Sequence, residues 1–429
     1  MSIVYLSEPY SLGMHPERSD RSIPTVSRIC GDAIVELVYD SAERKTALAV
    51  SRHGEWSVEP KFETSAGETL VPYSPGNNLI RHECILLPSY PTPFGGKAEL
   101  LRDIEAYLHR YVDLSPLFER IAAHYVLLSW VFDAFNELPY LRFKGDFGSG
   151  KTRALIALGS IVYKGFFASG ASTVSPIFHT LDTFGGTLIL DEADMRFSDK
   201  TADLVKILNN GTVRGLPILR SVQNRLKEFN PAAFNVFGPK IIAMRGTFRD
   251  QALESRFLTE EMGARPLRTD IPIQLPAALK TDALGLRNRL LHFRLTNLFA
   301  VRSDPSRVIA GIDPRLNQTA LSLASLMDDR ELLDEFAELL NHRHIQLCAE
   351  RTRSVTSRTM AAVAQSFRET SRPFVPLREI AERINGDGGE WNARVSTRQV
   401  GQILREHSMP LRKSHGDVVV PRTTLASQV

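Results

Sequence analysis

Residues 145–152 read Gly145-Asp146-Phe147-Gly148-Ser149-Gly150-Lys151-Thr152, a complete G-x-x-x-x-G-K-[ST] pattern. The pattern is a phosphate cradle. Its glycines let the backbone curl until successive N–H groups point inward at a triphosphate. A lysine at position 151 reaches the β- and γ-phosphates, and the Thr152 hydroxyl is a ligand for Mg²⁺. The expected ligands are therefore ATP and Mg²⁺. Tyr140–Lys144 before the loop reads as a short buried strand. Ala154–Leu158 after it reads as a helix whose N-terminus faces the phosphates.

A second stretch matches the first. Gly186–Leu190 is apolar or β-branched and runs into Asp191-Glu192-Ala193-Asp194. This fits a central parallel strand with acid at its C-terminal end. Asp191 is expected to hold Mg²⁺, directly or through water. Glu192 is expected to orient and polarise an attacking water, the task that separates hydrolysis from binding. Asp191 follows Lys151 by 40 residues, room for one intervening strand and its connections.

These residues need a scaffold, and the rest of the chain reads as one. Its 429 residues exceed one compact core, so two or three domains are expected. With 43% hydrophobic and 24% charged residues it is neither disordered nor fibrous, and the net charge of +3 says little about partners. Cys30, Cys84 and Cys348 are too far apart for a C-x-x-C pair or a disulfide framework, which suits a reducing cytosol. No apolar run approaches the roughly 20 residues that span a bilayer. The first ten residues lack a basic segment and a long apolar core, so the expectation is a cytoplasmic protein without a secretory signal or a membrane anchor.

Five regions are expected. Residues 1–97 form a small β-rich module, with strands at Ala33–Tyr39, Lys45–Val50, Gly54–Val58 and His82–Leu87, read as a docking element for a protein partner. Residues 98–138 are a helical linker, with an apolar helix from Leu117 to about Phe135 that buries Trp130. Residues 139–265 alternate strand and helix, the signature of an α/β fold around a parallel sheet. They include a hairpin or loop with the basic tip Gln223–Glu228, placed before a strand at Lys240–Met244. Residues 266–353 form a helical lid. Residues 354–429 hold three helices and then strand, turn and strand, the order of a winged helix-turn-helix, with 11 Arg and Lys against 7 Asp and Glu. A basic helix carrying Arg398 and Arg405 and a basic wing carrying Arg412 and Lys413 suit a DNA duplex.

After Lys240–Met244 come Arg245–Asp250 and then Ser255-Arg256-Phe257. Here the chain resembles AAA+ ATPases. The tripeptide is similar to the arginine-finger motif of minichromosome-maintenance-type replicative helicases. The resemblance runs over about residues 140–300 and looks most like the helicase-like AAA+ proteins of mobile genetic elements. It implies a homo-oligomeric ring, hexameric by analogy, in which Arg256 enters the neighbouring subunit's ATP site. Arginine suits that role because its planar, permanently charged fork matches phosphate oxygens. The same resemblance makes Arg220, Arg225 and Lys227 candidate DNA contacts on a pore hairpin. It sets Arg245 where such helicases usually carry a sensor asparagine, with Thr247 two residues on. The second sensor is Arg287, Arg289 or Arg294, and Arg245 and Arg289 are carried as nucleotide contacts. The module lacks the cysteine cluster that many family members use for zinc. The activity implied is that of a DNA-acting AAA+ motor, a helicase or translocase in the replication of a mobile element. The alternatives are a loader that binds DNA without unwinding it and a remodeller of protein partners.

Overall fold

The computed structural model describes residues 22–169, 172–191, 199–223, 229–248, 250–353, 355–386, 395–414 and 417–422. They fall into two compact units, Met1–Phe336 and Ala337–Val429.

The first unit begins with β1 (Ser22–Thr25), β2 (Ser27–Cys30), β3 (Ala33–Asp40), β4 (Lys45–Arg52), β5 (Glu55–Glu59), β6 (Phe62–Glu63) and β7 (Thr69–Pro72). Strands β2 to β5 form an antiparallel meander, and β1, β7 and β6 a second small sheet. Three of the expected strands are present, but His82–Leu87 is not a strand. Helix α1 (Asn78–Arg81) ends there, Glu83 takes a left-handed φ of 50°, and Ile85 makes a single bridge to Phe166. A left-handed residue breaks the alternation a strand needs.

Helices α2 (Lys97–Tyr111) and α3 (Pro116–Trp130) follow. Ser115 accepts the Phe118 N–H and Pro116 opens α3, a standard start signal. Every residue from Ile121 to Trp130 is buried, so α3 is an interior helix. It stops five residues short of the expected Phe135. Arg294 donates to the Trp130 carbonyl at 2.7 Å, capping the helix there, and only one short turn, Phe132–Ala134, continues. Within α3, His124 is 5% exposed and its Nδ1–H donates to the Arg120 carbonyl at 2.9 Å. Burial pulls its pKa down to about 4, against 6.5 for a free imidazole. Between those values the unfolded chain binds a proton that the folded one refuses. Stability should therefore fall as pH drops from 6.5 to 4, by up to about 3 kcal/mol. Urea midpoints of the wild type and His124→Leu across that window check this; a wild-type profile as flat as the variant's would refute it.

The core of the unit is built from β8 (Tyr140–Lys144), α4 (Lys151–Gly159), β9 (Phe166–Ser169), α5 (Val174–Phe184), β10 (Leu188–Asp191), α6 (Asp199–Asn210), β11 (Ile218–Gln223), β12 (Phe229–Phe234), β13 (Lys240–Met244), α7 (Gln251–Glu254) and β14 (Phe257–Glu261). Five of the strands form a parallel sheet in the order β14-β8-β13-β10-β9. Strands β8, β10 and β13 are buried on both faces, which explains their mostly apolar composition; their charged residues Arg142 and Lys240 are themselves buried. The intervening strand expected from spacing is β9 in sequence, but in space β13 separates β8 from β10. The expected hairpin exists as β11–β12, with its second arm following directly on the basic tip, at Phe229.

The β-module shares this core. Val35, Leu37 and Leu48 belong to the same buried cluster as Leu188, Leu190 and Ile242. Helix α8 (Ala278–Asn297) packs on α2, α3 and β4, so its place is against the module and the linker helices. Helix α9 (Pro314–Ala324) closes the unit, and the boundary falls inside α10 (Arg330–Arg353).

The second unit continues with α11 (Val355–Glu369), β15 (Phe374–Pro376), α12 (Leu377–Gly386), α13 (Thr397–Glu406), β16 (Arg412–Ser414) and β17 (Asp417–Pro421). Its sheet order is β15-β17-β16, antiparallel. Val363, Ile380, Val400, Leu404 and Val420 form its core. Ser396 and Gln399 close a reciprocal capping box at the start of α13.

Candidate functional site

In a parallel sheet all C-terminal strand ends share one edge. That edge collects the loop after β8, Asp191 at the end of β10 and Arg245 just after β13. The loop is held tightly. A side chain on Gly145 would meet the Met262 carbonyl at 2.4 Å, and Gly148 and Gly150 have φ of 78° and 90°. Only glycine meets all three demands without strain. Helix α4 starts on Gly150 with no side-chain cap, leaving its first N–H groups to a ligand.

Lys151 Nζ donates to the carbonyls of Gly145 and Asp146, each at 2.7 Å, and so lies across the loop. Phe147 at its tip is 89% exposed. Thr152 Oγ1 donates to Asp191 Oδ2 at 2.9 Å. Two cis ligands of an octahedral Mg²⁺ at ~2.0–2.1 Å stand about 2.9 Å apart, so this oxygen pair fits that ion. Arg245 is solvent-exposed at the same edge. Glu192 lies outside the described residues. Among the described residues no cluster of three or more His, Cys, Asp or Glu offers another metal site, and no helix is long and apolar enough to cross a membrane.

Arg256 stands at the opposite edge. Its carbonyl accepts the Tyr140 N–H at 2.9 Å, at the start of β8, and its guanidinium donates to Asn209 Oδ1. It is half-buried, and burial lowers its pKa from the usual arginine value, with Tyr140 opposing and Arg315 adding to the shift.

Arg289 is not brought to the loop. It pairs with Asp103 and Glu99 on α2 and donates to the Phe94 carbonyl. Helix α2 runs antiparallel to α4: Arg153 reaches the Tyr111 carbonyl at 3.3 Å, while Tyr107 bonds Ser160 at 2.7 Å. Asp103 therefore lies beyond the far end of α4. Arg287 and Arg294 are also occupied elsewhere, on the Ser160 carbonyl and on Glu36 with Asp133. None of the three contacts the loop within its own chain.

Arg220 on β11 pairs with Asp203 at 3.0 Å and lies 5.6 Å over the Phe178 ring, bracing the hairpin on α5 and α6. Arg225 and Lys227 lie outside the described residues. Leu219 and Phe229 on the hairpin arms are 67% and 71% exposed, so its arms present apolar surface. In the second unit Arg398, Arg405, Arg412 and Lys413 are all exposed. Arg398 and Arg405 are seven residues apart, two turns, on the face of α13 opposite Val400 and Leu404.

Sequence reasoning missed Arg142 and Glu254. They form a fully buried pair at 2.6 Å, and the same carboxylate accepts the Phe248 N–H at 2.5 Å. This fastens the segment between Arg245 and Arg256 to β8. An arginine inside an otherwise apolar strand was the available signal. Also missed were Met262 and Gly263, which close the back of the loop: the Met262 N–H donates to the Lys144 carbonyl at 2.6 Å.

No protein-family model matches the sequence, and no curated protein matches it. Solved structures do. The chain is similar to the A-form apo structure of the NrS-1 C-terminal region, at 12% identity over 90% of this chain and 96% of that one, with a TM-score of 0.34. It is similar to SCCmec type IV Cch, described as an active helicase, at 12% identity over 93% and 95%, with a TM-score of 0.37. It is similar to a full-length MCM homolog from Methanopyrus kandleri at 13% identity over 75% of each chain, with a TM-score of 0.39. TM-scores this low leave the reading of the site to its own geometry.

Proposed function

We propose that the chain is a Mg²⁺-dependent ATPase of the AAA+ class that acts on DNA as a ring-forming helicase or translocase. The observation that carries the ATPase reading is the Thr152–Asp191 hydrogen bond at 2.9 Å beside a glycine loop spanned by Lys151. Two strands apart in the sheet, these groups meet only because the loop and the acidic strand end share an edge. Mg²⁺ held by Thr152 and Asp191 would neutralise phosphate charge. Lys151 and the backbone of residues 145–152 orient the phosphates, Glu192 takes the water, and Arg245 faces the same edge.

The DNA reading rests on the second unit, taken as a winged helix. Arg398 and Arg405 on one face of α13, with Arg412 and Lys413 on the adjoining hairpin, form a basic surface suited to phosphates.

Lys151→Ala should lower ATP turnover on the order of 10²–10³-fold, since it removes a charge aimed at the transferred phosphate. The test is wild-type and variant turnover with and without single- and double-stranded DNA, alongside a strand-displacement assay. Turnover stimulated by DNA with displacement supports the helicase. Stimulation without displacement makes the chain a loader. No turnover in any condition ends the ATPase reading.

A further inference from the structure

Behind the phosphate-loop helix lies a second cavity of about 580 Å³, between the end of β3, the turn after α1, the second half of α4 and α8. Ile85, Leu87, Ile156, Phe167 and Leu284 give it mainly apolar walls. Of its charged lining groups, Glu83 and Lys280 are exposed and paired with each other, and Arg287 is the buried one. Arg287 is only 8% exposed. Its Nε donates to the Leu87 carbonyl at 3.2 Å and its Nη1 to the Ser160 carbonyl at 2.5 Å, while its Nη2 has no hydrogen-bond partner among the described residues. No carboxylate among the described residues pairs with it. Glu83, the nearest acid acting on it, holds Lys280 at 3.5 Å instead. Burial pulls the Arg287 pKa down to about 10, opposed by Tyr107 and Glu83. A buried guanidinium without an anion is costly, and arginine is retained where a planar anion is gripped.

We infer that this cavity binds a small organic anion, an apolar body bearing one carboxylate or phosphate, with the anionic head on Arg287 Nη2. The volume lies in the usual range for small-molecule sites, roughly 300–1,000 Å³. The site is separate from the phosphate loop: Ile156 lies about one and a half turns and Ser160 about two and a half turns past Lys151, at the far end of α4.

The test is calorimetric titration of the full chain with octanoate and with phenyl phosphate, each with ADP saturating the loop, and with neutral 1-octanol. At least one anion is expected to bind in the presence of ADP, at least about tenfold more tightly than octanol, the usual margin for a charge-assisted hydrogen bond. Leu284→Trp, which fills the cavity and leaves the Arg287 bonds intact, and Arg287→Met should each weaken it by about tenfold or more. The octanoate and phenyl phosphate arms decide between carboxylate and phosphate. Absence of binding at millimolar concentration overturns the inference and leaves Arg287 as the C-terminal cap of α4. So does binding that survives Leu284→Trp unchanged, or that ADP abolishes. If Arg287→Met fails to fold, Leu284→Trp alone decides.

Discussion

Arg256→Ala should, if the proposed ring ATPase is right, lower ATP turnover by on the order of 10³-fold or more, the usual worth of an arginine finger. Mixing it with Glu192→Ala subunits should restore part of the activity. The sheet register explains why. Phe257 pairs with Tyr140 and Glu261 with Lys144, so Arg256 precedes the sheet edge farthest from Gly145. Five strand residues at ~3.3 Å put roughly 16 Å between it and its own loop. If Arg256 touches a nucleotide, it does so in another subunit. The Asn209 bond holds the guanidinium, and Arg315 adds positive charge at that edge. In the proposed ring each single variant lacks one half of every site, while a mixed ring contains interfaces with both halves. The loss should sit in kcat, with nucleotide affinity nearly unchanged, because the finger meets charge that develops only in the transition state. Asn209→Ala is the structural control and should be far milder. A dead Arg256→Ala without rescue would make the residue a local brace, and unchanged turnover would remove it from the site altogether.

How much of the molecule could be read from residues alone varied with how local the determinant is. The loop, Asp191 and the β8, β10 and β13 strands were legible because glycine conformational need and mostly apolar runs are local properties. The second sensor was not. Arg287, Arg289 and Arg294 lie on one helix with similar flanks, and only the packing of α8 against α2 and β4 shows that all three are engaged away from the loop. The His82–Leu87 strand failed because a left-handed Glu83 has no sequence mark. The β-module read as a separate adaptor because its alternating pattern says which face is buried, not against what. Its partner is the parallel sheet itself, reached through residues far away in sequence.

That junction carries the other large effect. Glu36 on β3 is buried at the centre of a network: Lys164 Nζ at 3.0 Å, Arg294 Nε at 2.7 Å, and the Tyr163 hydroxyl at 2.9 Å. Arg294 also makes a bidentate pair with Asp133 at 2.7 and 2.6 Å. Two anions balance two cations, so the set is neutral as it stands. Burial by itself would raise the Glu36 pKa, but the charges of Lys164 and Arg294 outweigh it and hold it at about 2. Its stabilisation is complete above the unfolded value of 4.5 and drains as pH falls towards 2. Glu36→Gln leaves two buried cations facing one carboxylate. It should cost about 3–5 kcal/mol, because an unpaired buried charge is far worse than a missing pair. Removing a cation as well restores neutrality, so Glu36→Gln with Lys164→Met should recover most of the loss and show strong coupling in a double-mutant cycle. Urea titration followed by tryptophan fluorescence reads both, since the Trp130 carbonyl accepts from Arg294 within this network. A loss below about 1 kcal/mol, or simple additivity of the two changes, would mean that water reaches these groups and that the module is not locked to the sheet by charge. The expected result makes residues 22–72 part of the same folding unit as the parallel sheet. Deleting the module should then unfold the sheet, and would not merely remove a partner-binding accessory.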